Sequence, residues 1–408
     1  MVRGNKCLFW HKLYRGEFLR RLLDFEEMNE ILSSLNNKVV RKEKPIGYTF
    51  FNYPIDHYVY GHGKYHVIMT AGTHAAELIS NVFVVRFMEM LSLGKIDIDE
   101  NLYTIHFIPF VNPEGTIIVT ETIRTLITRD MSEEEVQTYL LAYYRNCHIE
   151  SDYALKYGLR DNKLQHYMFR HASPAILEKK HKALSESLKK IFKESNLPDG
   201  CMINWSNNGR GVDLNSNIES SHFIDRVVNG EKIYGKFHLN NIRRDKLGPT
   251  GCPFYKFGEI EKENIALLNF YDEIKNNYDL IGSFIYHSCG NIVYYLGEDK
   301  EKNPWVDLTE KMKSDNKKCA LAYAYRSKYK IDGLDIYTTM DAKIKSLFPV
   351  TLLIELGGVR ATPLSQFMDL DLDGSDDSFK HVYSKIINDN VQAVLATIEE
   401  MLDIYREK

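Results

Sequence analysis

The stretch Ala71-Gly72-Thr73-His74-Ala75-Ala76-Glu77 follows directly on an apolar, strand-like run from Tyr65 to Thr70. It places an imidazole and a carboxylate three residues apart, just beyond the predicted end of a strand. In open α/β sheets, ligands bind at the carboxyl ends of the strands because the loops converge there. His74 and Glu77 are therefore candidates for half of a zinc site. A single His-x-x-Glu, however, is more often an exposed pair on a helix.

The chain around this stretch alternates between strand-like and helix-like patterns, which predicts an α/β sheet. The predicted strands are 66–70, 103–111, 281–287 and 349–355, and the predicted helices are about 75–93 and about 378–406. The acidic loop 369–374 imitates the start of a calcium loop, but Lys380 stands where that motif needs a glutamate. We therefore expect a solvated turn there, before the last helix.

The same patterns predict the organisation of the chain. Residues 1–45 form a helical extension, since apolar residues recur at helical spacing between Phe18 and Leu35. Residues 46–408 form one catalytic domain. Within it, residues 119–198 change to a helical character, with a capping box at Ser132 and Glu135 and an N-cap at Ser173. They are predicted to be a helical insertion.

Composition limits the possible partners and compartments. The 408 residues are 44% hydrophobic and 26% charged, with a formal net charge of −4, so a large core is expected and a basic field for nucleic acid is not. No window approaches the roughly 20 apolar residues that a membrane-spanning helix needs. The first residues do not resemble a secretion signal, and the six cysteines form no Cys-x-x-Cys pair. These features predict a cytoplasmic protein that binds neither nucleic acid nor membrane.

Two further residues follow strand-like runs in the second half of the chain. His287 ends the run 281–287, and Glu355 follows the apolar run from Val350 to Ile354. A catalytic zinc ion takes three protein ligands and leaves one position for water, so His287 is a candidate third ligand. A carboxylate after an apolar strand is unusual unless it is paired or functional, which makes Glu355 the best candidate for a general base.

Five motifs in one order resemble the zinc metallocarboxypeptidase family. They are Thr73-His74-Ala75-Ala76-Glu77, Asn112-Pro113-Glu114-Gly115, Gly209-Arg210-Gly211-Val212-Asp213-Leu214-Asn215, His287-Ser288 and Ile354-Glu355-Leu356-Gly357. Gly248-Pro249, Pro253-Phe254 and the acidic run Glu259 to Glu263 also resemble a family segment. The resemblance spans roughly residues 65 to 360. It implies a mixed β-sheet flanked by helices.

The resemblance also implies roles for single residues. His74, Glu77 and His287 would hold one zinc ion, and Glu355 would take a proton from zinc-bound water, whose pKa the ion lowers to about 7. Arg210 would face the oxygen of the scissile carbonyl and stabilise the oxyanion. Tyr329, or alternatively Tyr325 or Tyr337, would close over the substrate. The implied substrate-binding residues are Asn215, Ser216, Ser288 and Ile336, the last at the floor of the specificity pocket.

Three positions depart from the family pattern. Ser216 stands where the family has an arginine that grips the terminal carboxylate of the substrate, and Ala76 stands where members carry another arginine. Cys289 replaces an aromatic residue. Arg243, Arg244 or Arg360 are candidates for a substitute cation. The chemistry of cleavage is therefore expected to be intact, whereas removal of a carboxyl-terminal residue does not follow.

The predicted function is that of a zinc-dependent peptidase of carboxypeptidase type, acting on a peptide or small amide. One alternative is an amidohydrolase of N-acyl amino acids similar to aspartoacylase, and another is a murein-peptide amidase. The motif Asn112-Pro113-Glu114-Gly115 favours the peptidase. A non-catalytic binding module is the alternative outside enzymes, but binding alone needs no base beside a metal.

Overall fold

A computed structural model describes most of the chain. The described residues are 23–125, 173–195, 202, 205–217, 260–297, 309–333, 340–347, 350–357, 370–372, 379–381 and 383–407. Predictions that concern Ser132, Glu135, Ile336 or Tyr337 lie outside these ranges, as do those for Arg243, Arg244 and Arg360.

The centre of the fold is a mixed β-sheet. Its eight strands are β1 (Val40–Lys42), β4 (Tyr58–Gly61), β5 (Tyr65–Ala71), β6 (Tyr103–Ile108), β7 (Asp279–His287), β8 (Ile292–Tyr295), β9 (Lys330–Asp332) and β10 (Thr351–Glu355). They lie in the order β1-β4-β6-β5-β7-β10-β8-β9. The four central strands β6, β5, β7 and β10 run parallel. Two small hairpins lie outside this sheet: β2 (Gly47–Tyr48) with β3 (Pro54–Ile55), and β11 (Leu370–Leu372) with β12 (Phe379–His381).

Eight α-helices are described. They are α1 (Phe25–Ser34), α2 (Leu78–Ser92), α3 (Pro113–Arg124), α4 (Lys182–Ser195), α5 (Lys262–Asn277), α6 (Glu310–Ser327), α7 (Met340–Leu347) and α8 (Tyr383–Arg406). Short 3-10 turns occur at Pro174–Leu177 and Leu214–Ser216. None of these described helices combines the length and apolar character that a membrane crossing requires.

Two hydrophobic cores lie on opposite faces of the sheet. The larger core receives residues of α1, α2, α3, α4, α6 and α8, and the smaller receives residues of α5 and α7. Strand β5 shows why both form: Val67 and Met69 belong to the larger core, and Ile68 between them belongs to the smaller. Successive side chains of a strand point to opposite faces, so a continuous apolar run supplies both cores. The predicted α/β architecture is confirmed.

Both edges of the sheet are short. The three-residue strands β1 and β9 form its ends, and each contains charged residues. Lys42 of β1 also forms an ion pair of 2.7 Å with Asp56.

The region before the last helix differs from its prediction. The helix begins at Tyr383 rather than near residue 378, and the expected turn contains strand β11, which pairs with β12. The alternation Leu370-Asp371-Leu372 has the period of two that is typical of a strand. The acidic residues of the loop also fit a solvated turn, so composition alone does not distinguish the two structures. Within 119–198, the described parts are the end of α3, the turn at 174–177 and helix α4.

Candidate metal centre and active site

Three adjacent parallel strands have their carboxyl ends on the same side of the sheet. Strand β7 lies between β5 and β10, and His287 pairs in register with Glu355. Beside them, Ala71 at the end of β5 pairs with Tyr286. The loop after Ala71 carries His74 and Glu77, so the strand ends bring together the four residues on which the sequence prediction depends.

Glu77 contacts both histidines through its two carboxylate oxygens. His74 Nδ1 lies 2.8 Å from Oε1 of Glu77, and His287 Nδ1 lies 2.8 Å from Oε2. The backbone N–H of Ser288 donates to the same Oε2 at 3.1 Å. One candidate ligand atom from each of the three residues lies within 4.8 Å of the others, as ligands of one metal ion must.

The outer nitrogens of both histidines face buried aspartates. His74 Nε2 lies 3.4 Å from Oδ1 of Asp213, and His287 Nε2 lies 2.9 Å from Oδ2 of Asp341. Histidines that bind metals commonly have such a carboxylate at the nitrogen that does not bind the ion. Asp213 belongs to the motif of residues 209–215, but the sequence alone assigns no role to it, and Asp341 was not predicted as a site residue.

The carboxylates around His74 and His287 favour positive charge at the candidate metal site. Burial lowers the pKa of His74, but Glu77 and Asp213 outweigh it and raise that pKa to about 10. Burial likewise opposes a charged His287, but Asp341 and Glu77 raise its pKa well above the usual value. Burial would raise the pKa of Glu77, yet the two histidines lower it to about 2. Two imidazoles and one carboxylate with this electrostatic preference fit a zinc ion.

Glu355 has the properties of a proton acceptor. Burial is the main cause that raises the pKa of its carboxyl to about 8, and the charge of Glu77 adds to the effect. The two histidines act in the opposite direction. A carboxylate whose pKa lies near neutrality can both take up and release a proton at pH 7, which suits general acid–base catalysis.

Arg210 is held by an acidic side chain and an aromatic ring. Its Nη1 lies 3.0 Å from Oε1 of Glu261, and its guanidinium carbon lies 4.6 Å from the centre of the Phe50 ring. Asn208 shapes the turn that carries Arg210, because its Oδ1 accepts the backbone N–H groups of Arg210 and Val212, both at 3.0 Å. In the sequence, Glu261 stands out only as part of the acidic run Glu259 to Glu263.

The motif Asn112-Pro113-Glu114-Gly115 fixes the loops that carry His74 and Arg210. Asn112 caps helix α3, and its Nδ2 donates to the carbonyls of Thr73 at 3.3 Å and Asn207 at 3.1 Å. The buried Glu114 accepts the backbone N–H of Gly209 at 3.0 Å. The motif therefore has a structural role, because it holds the loops of the two motifs that contain His74 and Arg210.

The other predicted residues have different surroundings. The hydroxyl of Tyr329 accepts hydrogen bonds from Asn390 Nδ2 at 3.0 Å and from the backbone N–H of Gly357 at 3.4 Å. Tyr325 is 71% exposed. Ser288 contacts Glu77 through its backbone N–H. None of these contacts involves His74 or His287.

Asn215 and Ser216 lie in the 3-10 turn Leu214–Ser216. The side-chain Oδ1 of Asn215 accepts the backbone N–H of Asp341 at 3.2 Å. Helix α7 packs against this turn and carries Lys345, which is 1% exposed and follows Asp341 by one helical turn. The helix thus contributes a buried cation on the same face as Asp341.

Comparison with known proteins supports the fold rather than the sequence family. No family model and no curated protein matches this sequence. Bovine thrombin-activatable fibrinolysis inhibitor, solved in complex with tick carboxypeptidase inhibitor, matches with a TM-score of 0.52 and 14% identity, covering 95% of this chain and 99% of that chain. Carboxypeptidase A from Helicoverpa armigera matches with a TM-score of 0.53 and 12% identity, covering 94% and 74%.

At these identities the likeness establishes the architecture. The chain has the carboxypeptidase-like α/β fold, with a mixed central sheet flanked by helices, as the resemblance in sequence predicts. Within this fold, His74, Glu77 and His287 form a group that could hold a metal ion.

Proposed function

We propose that this chain is a zinc-dependent peptidase of carboxypeptidase type. The observation that carries the proposal is the convergence of His74, Glu77 and His287 next to Glu355, at one edge of the sheet. The donor set suits zinc, and the fold likeness is to carboxypeptidases. A zinc ion held by these three residues would lower the pKa of water and polarise the substrate carbonyl.

The residues of the chain then have distinct tasks in hydrolysis. Glu355 takes a proton from the water whose oxygen attacks the carbonyl carbon. It returns that proton to the nitrogen of the leaving amine as the carbon–nitrogen bond breaks. Arg210 contributes positive charge for the carbonyl oxygen, where negative charge develops. The products are a carboxylate and an amine.

A digest of a peptide library by the full chain tests the proposal, with zinc measured by elemental analysis. We expect one zinc ion per chain and cleavage by the wild type. Glu355→Gln should keep the zinc and lose about 10²- to 10⁴-fold in rate, the usual share of general acid–base catalysis. Glu310→Gln is the control, because Glu310 lies on the exposed start of α6, where it contacts Lys313.

The choice of substrates separates the alternatives. Peptides with free and with amidated carboxyl termini test recognition of the terminal carboxylate, which Ser216 puts in question. N-acyl amino acids and murein peptides test the two amidase alternatives. A wild type that holds stoichiometric zinc and cleaves none of these substrates would establish a binding module and end the proposal.

A further inference from the structure

The two candidate histidine ligands have buried aspartates at their outer nitrogens, and these aspartates come from distant parts of the chain. Asp213 lies just before the turn Leu214–Ser216, and Asp341 lies on α7. They are 3% and 2% exposed. A buried carboxylate must be hydrogen-bonded by the protein, because little water reaches it. Each aspartate therefore needs a fixed position if it is to orient its histidine.

Asn215 connects the two aspartates. Its backbone N–H donates to Oδ1 of Asp213 at 3.0 Å, and its side-chain Oδ1 accepts the backbone N–H of Asp341 at 3.2 Å. The side chain is buried as well. A continuous path of contacts thus runs from His74 through Asp213, Asn215 and Asp341 to His287.

We propose that Asn215 is a positioning residue for the metal centre, which sets both outer aspartates and, through them, the orientation of both histidine ligands. This assignment differs from the substrate contact that the sequence resemblance implies for Asn215, since its amide oxygen accepts a backbone hydrogen bond from α7. It rests on the proposed function only in taking zinc as the bound ion.

The physical reason lies in the two nitrogens of each ring. A contact at Nε2 fixes the tautomer and the rotation of the imidazole, which leaves Nδ1 as the nitrogen that faces Glu77. Outer partners of this kind typically contribute 10- to 100-fold to metal affinity. Asn215→Ala keeps the backbone N–H that Asp213 accepts and removes the side-chain contact with Asp341, so the substitution acts mainly on the ring of His287.

The test measures zinc affinity of the full chain by competition with a chelator, which requires no catalytic activity. We expect Asp341→Asn to weaken zinc binding by about 10- to 100-fold. Asn215→Ala, which acts through Asp341, should weaken zinc binding by a smaller factor, up to about tenfold, and alter the visible spectrum of the cobalt-substituted protein. Asp341→Asn removes the carboxylate but keeps the backbone N–H that Asn215 accepts. If Asn215 acts partly through Asp341, the double variant should lose less affinity than the product of the two single losses.

Asn316→Ala is the matched control. Asn316 is buried, and its Oδ1 accepts the backbone N–H of Thr351 at 3.2 Å, as Asn215 does from Asp341. Thr351 begins β10 at the end opposite Glu355. The control should lose stability as Asn215→Ala does, while its zinc affinity and cobalt spectrum stay those of the wild type.

The outcomes distinguish this inference from the proposed function. Wild-type affinity and an unchanged cobalt spectrum in Asn215→Ala would overturn the positioning role and leave the peptidase proposal intact. Should Asn215→Ala fail to fold, unchanged zinc affinity in Asp341→Asn would overturn the role equally. A wild type that binds no zinc would overturn both.

Discussion

Nη1 of Arg210 lies 3.0 Å from Oε1 of Glu261, a carboxylate that is 1% exposed. Nδ2 of Asn208 donates to the other oxygen of Glu261 at 3.1 Å, so both carboxylate oxygens have partners. Removing one member of a buried charge pair leaves the other charge uncompensated. Glu261 therefore fixes the direction of the guanidinium that we assign to the carbonyl oxygen.

Glu261→Gln should lower kcat by about tenfold, less than the 10²- to 10³-fold loss typical of removing an oxyanion donor outright. KM and zinc content should change little, because Arg210 remains and the zinc ligands are untouched. Steady-state kinetics with a cleaved library peptide measure this difference. A rise in KM with unchanged kcat would contradict the assignment.

Glu263→Gln is the control for this prediction. Glu263 is buried and lies 3.2 Å from the same Nδ2 of Asn208. Burial, with the charge of Glu114, raises the pKa of Glu263 to about 8, so it is mostly neutral at pH 7. A glutamine there replaces one neutral group by another and should leave kcat close to the wild-type value.

Gly72→Ala should destabilise the fold strongly. Gly72 has φ of 73°, and a Cβ at this position would overlap Nδ2 of Asn81, which donates to the carbonyl of Pro109 at 2.7 Å. Backbone strain and overlap together predict a loss of about 2–5 kcal/mol in the free energy of unfolding. Denaturant titration measures the loss.

Gly94→Ala separates the two causes. Gly94 has a similar φ of 65°, but a Cβ there would meet no atom within 4 Å. Only the backbone strain applies, so the expected loss is about 1–2 kcal/mol. Equal losses for the two variants would show that Asn81 moves aside without cost.

Tyr329→Phe tests whether Tyr329 serves the core or the substrate. Asn390 accepts from the hydroxyl of Tyr323 at 2.7 Å and donates to the hydroxyl of Tyr329 at 3.0 Å, which joins α8 to α6 and to the start of β9. The variant removes the acceptor of two hydrogen bonds, from Asn390 and from the backbone N–H of Gly357, which should cost about 1–3 kcal/mol in unfolding free energy, with KM unchanged. A raised KM at unchanged stability would instead support the substrate-closing role. Tyr278→Phe is the control, because Tyr278 is 50% exposed and has no predicted role in the site.

Three histidines form a buried chain in strands and loops away from the metal centre. His57 Nε2 lies 3.0 Å from His106 Nδ1, and His106 Nε2 lies 2.9 Å from His66 Nδ1. Burial lowers the pKa of His57 and of His66 to about 4, and that of His106 well below its usual value. The folded state therefore holds these rings neutral near pH 7.

The contribution of these three histidines to stability should fall as the pH falls from about 6.5 toward 4. Over this range the three histidines bind more protons in the unfolded chain, where their pKa values are about 6.5, than in the folded chain, so their protonation favours unfolding. His66→Phe removes one of these groups and should reduce the difference in unfolding free energy between pH 7 and pH 5. The exposed His62→Phe should keep the wild-type difference. An equal pH dependence in His66→Phe would refute the assignment.

The sequence indicates the candidate ligands and the candidate base, which follow apolar strands, better than it indicates the residues that contact and orient them. His287 and Glu355 each end an apolar run, and His74 and Glu77 follow one. The hydrophobic pattern therefore predicts that all four residues lie at the carboxyl ends of strands, where they can come close together. Asp341 carries no such local signal: it is an ordinary acidic residue at the start of a helix. Its contact with His287 depends on how α7 packs against the turn Leu214–Ser216.

The histidine chain also required the three-dimensional register. His57, His66 and His106 become neighbours only because β4 pairs with β6 and β6 with β5. In the linear sequence they are separated by up to 49 residues and form no spaced motif. The linear sequence does not contain the pairing of the strands, and this pairing is what brings the three histidines together.

The two short, charged end strands of the sheet have a consequence for how copies of this chain meet. An unpaired strand is a template for another chain, and long apolar edges lead to fibre-like aggregation. Strands β1 and β9 each offer only three residues, with charges at Arg41 and Lys42 on one side and Lys330 and Asp332 on the other. The short, charged end strands of the described sheet therefore disfavour edge-to-edge polymerisation. The longer, apolar interior strands would favour it if they were exposed.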